Sequence, residues 1–146
     1  MLSMKAKYAL RALIVLAIDE KKMQQSKVIA KRADVPSKFL ETILAELRGR
    51  ELLESKRGIF GGYFLAKPAS EIKIGDIVRL IDGPLAPLHC ASVNYYKKCD
   101  DCEDEHTCVI RKMMVQVRDA ISDVLDKQSL ADMLALSPNQ KQNIFW

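Results

Sequence analysis

Apolar residues recur at four-residue spacing from the start of the chain, with Met4, Tyr8, Ala12 and Leu16 on one stripe and Ala9, Leu13 and Ala17 beside it. This period predicts an amphipathic helix over Met4 to Ile18, with Lys5, Lys7 and Arg11 off the centre of the stripe. After a Lys- and Gln-rich loop, Ser26 is placed to cap a short helix over Lys27 to Ala33. Asp34, Val35 and Pro36 make a turn, because proline disfavours helical geometry in the residue before it. Ser37 then caps a third helix, with Phe39, Leu40, Ile43, Leu44 and Leu47 as its buried stripe and Gly49 as its end. Lys38, Glu41, Thr42, Ala45 and Arg48 fall on the opposite side.

The period then changes from helical to extended. Leu52 to Glu54 lead into a glycine-rich tip at Ser55 to Gly62, and Tyr63, Phe64 and Leu65 lead out, so a hairpin is expected. Three helices followed by a hairpin is the order of a winged helix-turn-helix. A fourth helix is expected over Ile74 to Ile81. The stretch from Asp82 to Thr107 has poor periodicity, and a segment of that length without its own structure is usually functional. Periodicity returns with Val109, Met113, Val117, Ile121 or Ala120, and Val124 along one face, widened by Met114 and Leu125. Ser129 is placed to cap a last short helix to Leu136, and the tail ends on Ile144, Phe145 and Trp146, suited to docking or to fraying. The fold class expected is mainly α, with a two-stranded wing and a long C-terminal helix. The organisation expected is a DNA-binding unit over 1–83, a cysteine-rich loop over 84–108, and a dimerisation helix with tail over 109–146.

Charge sharpens this picture. The chain carries a net charge of +4, but residues 1–67 hold 14 Lys/Arg against 7 Asp/Glu, and residues 68–146 hold 9 against 12. A basic half joined to an acidic half points to a polyanionic partner for the first half. Lys5 and Lys7 precede the apolar run Ala12 to Ile18 as in a signal peptide, yet the run is short, and Asp19 and Glu20 follow it with no small-residue cleavage site. No stretch approaches the roughly 20 apolar residues of a membrane span. A cytoplasmic protein without membrane contact is expected.

A helix in the major groove presents its N-terminal side chains to base edges, so Ser37, Lys38, Glu41 and Thr42 are the candidate readers. Arg48, like Arg50, is placed for phosphate contact. In the tip, glycines permit close approach to the sugar-phosphate wall, and Arg57 suits the narrow minor groove.

The motifs Tyr8-Ala9-Leu10-Arg11-Ala12-Leu13, Phe39-Leu40-Glu41 with Leu47-Arg48, and Arg57-Gly58 through Gly61-Gly62-Tyr63-Phe64-Leu65 resemble the winged-helix regulator family of IscR, NsrR, RirA and CymR. The likeness is good over about residues 1–83 and looser through the long helix. It implies a homodimer on a double-stranded operator, and it adds Lys5, Tyr8, Gly61, Gly62 and Tyr63 to the expected DNA-binding residues. A repressor is the expected direction, with activation left open.

Cys90, Cys99, Cys102 and Cys108 all lie in the one aperiodic loop. Clustered thiols in an intracellular chain favour a metal or redox site over a structural disulfide. Many members of the resembled family hold an iron–sulfur cluster, of the 2Fe–2S or 4Fe–4S kind, on three cysteines of this loop. The five residues between Cys102 and Cys108 match that pattern; the eleven between Cys90 and Cys102 exceed it, and Cys99 is additional. One branch uses a histidine three residues after the last cysteine, where this chain has Arg111, so that ligand does not carry over. Structural zinc on four thiolates and a metal-free thiol switch stay open beside the cluster, as does a partner protein as the source of the signal. Asp100, Asp101, Glu103, Asp104 and Glu105 disfavour free thiolates and so lend support to a bound cation.

Catalysis finds no footing. The chain lacks the His-x-Glu and Pro-Cys-x-x-Cys elements of a zinc deaminase, and Gly58 to Gly62 lacks the Lys-Ser/Thr ending of a phosphate loop. His89 and His106 both lie in the cysteine loop, so no nucleophile–base pair can be assembled. The loop's place between two helices suggests that its state sets the spacing of the two recognition helices in a dimer.

Overall fold

The computed structural model describes residues 2–137; the expected tail docking at Ile144 to Trp146 lies outside them. The elements run α1 (Met4–Ile18), α2 (Ser26–Ala33), α3 (Ser37–Gly49), β1 (Leu53–Lys56), β2 (Gly62–Leu65), α4 (Ile74–Asp82), α5 (Val109–Leu125) and α6 (Leu130–Ala135). Single 3-10 turns interrupt the connections at Ala69–Glu71 and His89–Ala91. This is the mainly helical winged-helix architecture expected from the pattern.

α1 is the central element. Ala6, Ala9 and Ala12 are fully buried, and their small side chains admit close neighbours on more than one side. Leu13 and Leu16 of α1, Ile29 of α2, Leu40, Leu44 and Leu47 of α3 and Ile77 of α4 complete one continuous core. α1 is capped by Ser3, whose hydroxyl accepts from the Ala6 amide at 3.0 Å. Ser3 is held in turn by the Asp82 carboxylate, which accepts from its amide at 2.8 Å and also from its hydroxyl.

The turn between α2 and α3 closes where Asp34 adopts a left-handed conformation (φ 51°) and the Val35 amide donates to the Ala30 carbonyl at 3.0 Å. Arg11 of α1 braces it from below by donating to the Asp34 carbonyl at 3.1 Å. The expected serine caps are not made. Ser26 and Ser37 are the first helical residues, after Gln25 and Pro36, and neither helix has a side-chain cap. Pro36 occupies the cap of α3 because its fixed φ suits a chain entering a helix. α3 also includes Gly49 and is capped by Arg50 rather than ending at the glycine.

β1 and β2 pair antiparallel, with Leu53 opposite Leu65 and Lys56 opposite Gly62. The strands reach two residues further towards the tip on the β1 side than the pattern implied. The wing is tied to the body by Gln24, which exchanges backbone hydrogen bonds with Tyr63 at 2.8 and 3.0 Å. Gln24 is itself buried, donating to the Val15 carbonyl at 3.2 Å and accepting from Arg32 at 2.6 Å.

The chain leaves this body at Gly83 and returns. The Ile74 amide donates to the Gln128 carbonyl at 3.0 Å, and the Leu130 amide donates to the Ile72 carbonyl at 2.9 Å. Ser129 caps α6 as expected, and Asp132 completes a capping box with it; the helix ends at Ala135 rather than Leu136. Leu130 is fully buried against the core around α1. Arg79 of α4 fixes the exit of α5 by a two-pronged bond to Asp126, at 2.7 and 2.8 Å.

Candidate nucleic-acid interface and cysteine loop

The buried stripe of α3 leaves Ser37, Lys38, Glu41 and Thr42 exposed on the opposite side. Phe39, expected in the core, is instead 62% exposed. Leu40, Ile43, Leu44 and Leu47 already complete the buried stripe, and a residue one position before Leu40 is carried to its edge by the 100° step of the helix. There Phe39 meets α1: Met4, Lys5 and Tyr8 face Lys38, Phe39, Thr42 and Ile43 across a cavity of about 650 Å³. Lys5 is ion-paired with Glu46 at 2.5 Å and stays exposed.

Arg48 joins α3 to the wing by donating to the Ser55 hydroxyl at 3.1 Å. Lys56 and Arg57 are exposed beyond it. Gly61 and Gly62 serve close approach of the chain to itself. A Cβ on Gly61 would strike the Lys56 carbonyl, and one on Gly62 would lie 2.5 Å from the Gln24 carbonyl oxygen. Tyr63 is half-buried, with its backbone in the bridge to Gln24. Of the expected DNA-binding residues, Lys5, Tyr8, Lys38 and Thr42 thus share one groove, and Ser37 and Glu41 lie on the same helix end. Arg57, Gly61, Gly62 and Tyr63 belong to the wing, with Arg48 as the link.

Ile59 and Phe60, at 85% and 90% exposed, are singled out only by the structure. The glycines around them marked a turn, but nothing in a turn motif says where its non-glycine side chains point.

Cys90 is buried in the 3-10 turn, Cys99, Cys102 and Cys108 are partly exposed, and all four thiols are free. The Cys108 sulfur caps α5 by accepting from the Arg111 amide at 3.4 Å. The neighbouring Cys90 thiol, then desolvation, then nearby negative charge including Asp101 hold the Cys99 thiol above its ordinary range. Desolvation first, and Cys108 next, raise Cys102 in the same way. Among the described residues no three His, Cys, Asp or Glu side chains are grouped to hold a metal ion. As a donor set the loop nonetheless fits a thiophilic centre: it supplies four soft sulfurs within one segment, and a cation would offset the negative charge that raises Cys99 and Cys102. His89 and His106 are both exposed.

The loop is fastened to α5 at one point. Arg111 donates to the Cys90 carbonyl at 2.9 Å, and Arg118, on the same face of α5, donates to the Ala91 carbonyl at 2.5 Å. α5 itself has no buried residue, and Val109, Ile110, Met113 and Val124 are exposed. No helix among the described residues is long and apolar enough to cross a membrane.

Comparison with known proteins agrees with this geometry. The family model described as Rrf2, iron-dependent transcriptional regulator, matches residues 2–136. An rrf2-like HTH-type transcriptional regulator of Rhodobacter capsulatus is 42% identical over 139 residues, covering 92% of this chain and 93% of the relative. CymR, the global cysteine regulator of Bacillus subtilis, superposes with a TM-score of 0.77 at 30% identity, covering 94% of this chain and 98% of CymR. IscR of T. potens superposes with a TM-score of 0.73 at 33% identity, covering 92% and 86%. The Rhodobacter capsulatus relative and CymR are both described as regulators.

Proposed function

This chain belongs to the Rrf2 family of transcriptional regulators, and from that premise we propose that it is a homodimeric operator-binding protein whose DNA affinity is set by chemistry at the cysteine loop. The observation that carries the reading is the hydrogen bond from Arg48 to Ser55, which holds the exposed face of α3 and the wing together within the basic half of the chain.

In this reading α3 enters the major groove, with Ser37, Lys38, Glu41 and Thr42 at base edges. Lys38 donates to guanine or phosphate, and Glu41 accepts from a cytosine amino group. Lys5, Tyr8 and Arg48 take the adjoining backbone. Arg57 takes the minor groove, and Gly61, Gly62 and Tyr63 hold the wing in position for it. A second copy covers the apolar side of α5, where Val109, Ile110, Met113 and Val124 are exposed.

Cys90, Cys99, Cys102 and Cys108 would hold an iron–sulfur cluster, in line with the family's description as iron-dependent. Such a cluster supplies a group whose loss or oxidation reports iron, oxygen or nitric oxide. Arg111 and Arg118 tie the Cys90 turn to α5, so a change in the loop reaches the dimer helix through two backbone carbonyls. Four free thiols within one short segment support a second reading. Two of them can give up two protons and two electrons to a peroxide-class oxidant and form one S–S bond, with zinc or a partner protein as further routes to the same loop.

Anaerobic purification with visible absorption and iron, sulfide and zinc content separates these readings. Absorption between about 320 and 460 nm with matching iron and sulfide establishes the cluster. Colourless, zinc-loaded or metal-free protein removes it. Operator affinity that falls steeply with salt establishes DNA binding, and a flat salt response refutes it.

A further inference from the structure

The wing tip carries the two most exposed large apolar side chains of the described residues, and they are adjacent. Ile59 is 85% and Phe60 90% exposed. Single exposed apolar residues are ordinary; two neighbours at the apex of a hairpin are a concentrated apolar point. The point is also rigidly held. The Gly61 amide donates to the Gly58 carbonyl at 3.0 Å, closing the turn. The Gln25 side chain donates to the Ile59 carbonyl at 3.0 Å, tying the tip to the start of α2. Below it, the Gln24–Tyr63 bridge and the absence of side chains at Gly61 and Gly62 lock the base of the wing onto the body.

We infer that Ile59 and Phe60 form an apolar wedge that enters the minor groove and partly unstacks one base step, bending the operator at the wing. Lys56 and Arg57 flank the point in sequence and are both exposed, so the apolar apex arrives on a cationic stem. That combination matches the minor groove, where cations meet phosphate and an apolar side chain meets the faces of opened bases. It matches a protein surface less well, because the centres of protein interfaces are depleted of charge. The wedge rests on the operator-binding reading and adds to it a cause of sequence preference where no hydrogen bond is made: pyrimidine–purine steps unstack most easily and are preferred under the wing. A dimer places two such wedges, one beyond each recognition helix.

The probe is a set of roughly 30-bp duplexes selected by the wild-type protein from a random pool, carrying dyes at both ends and 2-aminopurine at the step nearest the wing. Wild-type protein is expected to bend the duplex by roughly 20–90° and to raise 2-aminopurine fluorescence. The Ile59→Ser/Phe60→Ser variant is expected to leave the duplex straight and the fluorescence low, with affinity lower by about tenfold. Its far-UV spectrum is unchanged, because neither side chain packs in the core. Arg57→Ala is expected to lower affinity and to reduce the salt slope by about one while the bend persists. A straight duplex with the wild-type protein overturns the wedge and leaves operator binding standing. Equal bend and affinity in the double variant also overturn it and assign the tip to another protein. Failure to select any duplex overturns both.

Discussion

Gly62 offers a sharp test of how the wing is held. Its φ of +150° lies where glycine is favoured, and an added Cβ would come within 2.5 Å of the Gln24 carbonyl oxygen and 2.6 Å of its carbon. Gln24 cannot withdraw without stretching its bonds to Val15 and Arg32. The strand must move instead, breaking the two backbone bonds between Gln24 and Tyr63. Two such bonds contribute about 1 kcal/mol each, and the backbone strain adds about 1 kcal/mol more. Gly62→Ala is therefore expected to destabilise by about 3 kcal/mol, less than the roughly 5–15 kcal/mol of a typical domain. The helices survive while the wing comes away from them. Thermal unfolding should fall by about 10 °C, and hydrogen exchange should show protection lost at the Gln24 and Tyr63 amides but kept in α1. Gly49→Ala is the control, since a Cβ there meets nothing within 4 Å, and it should be neutral or stabilising by up to about 1 kcal/mol. Stability within about 0.5 kcal/mol of the parent for Gly62→Ala, with the Tyr63 amide still protected, would refute the steric reasoning.

Three further outcomes are expected. Leu130→Ala removes a fully buried side chain of α6 and should cost about 2–5 kcal/mol in urea unfolding, whereas a neutral result would mean α6 is no part of the core. Met113→Glu places a charge on the exposed apolar side of α5. It should yield a folded monomer by sedimentation with much weakened operator binding, and a persistent dimer would move the interface elsewhere. Asp126 has its carboxyl held below the ordinary range, chiefly by the bond from Arg79. Its contribution is present above the unfolded value near pH 4 and lost as pH falls through the lowered one. The stability gap between wild type and Asp126→Asn should therefore close on acidification. It should stay within about 1 kcal/mol because both partners are partly exposed, and a gap that widened at low pH would reverse the assignment.

The fold was legible wherever burial is periodic. α1, α3 and α4 show their inward faces as spaced apolar residues, and the hairpin shows itself as a change of period around glycines. Helix caps were less legible: Ser26 and Ser37 have the right chemistry, but capping depends on a backbone angle, and Pro36 supplies it one position earlier. The return of α6 was hidden for another reason. Ser129 marked the helix, but its pairing partner is Lys73, more than fifty residues away, and no local pattern encodes that distance. For the proposed interface, charge and helix position pointed to Lys38, Glu41, Thr42 and Arg57, all of which are exposed. The exposure of Phe39 was hidden because an apolar residue reads as core until its surroundings are known, and that of Ile59 and Phe60 because a turn motif does not say where its side chains point. The loop's cysteines were obvious in number; that Cys90 alone of the four is buried was not, since it depends on the 3-10 turn around it.

The outward side of α3 has an evolutionary consequence. Lys38, Glu41 and Thr42 touch nothing in the core, and the one bond from Thr42, to the Lys38 carbonyl at 3.5 Å, is local and weak. Folding therefore exerts almost no selection on these positions, while Leu40, Ile43, Leu44 and Leu47 behind them are fixed by packing. In the proposed operator-binding reading, a lineage can change the letters it reads by drifting through neighbours of equal stability, with no compensating change elsewhere. A combinatorial library at Ser37, Lys38, Glu41 and Thr42 should accordingly yield mostly well-folded members, each free to settle on its own operator.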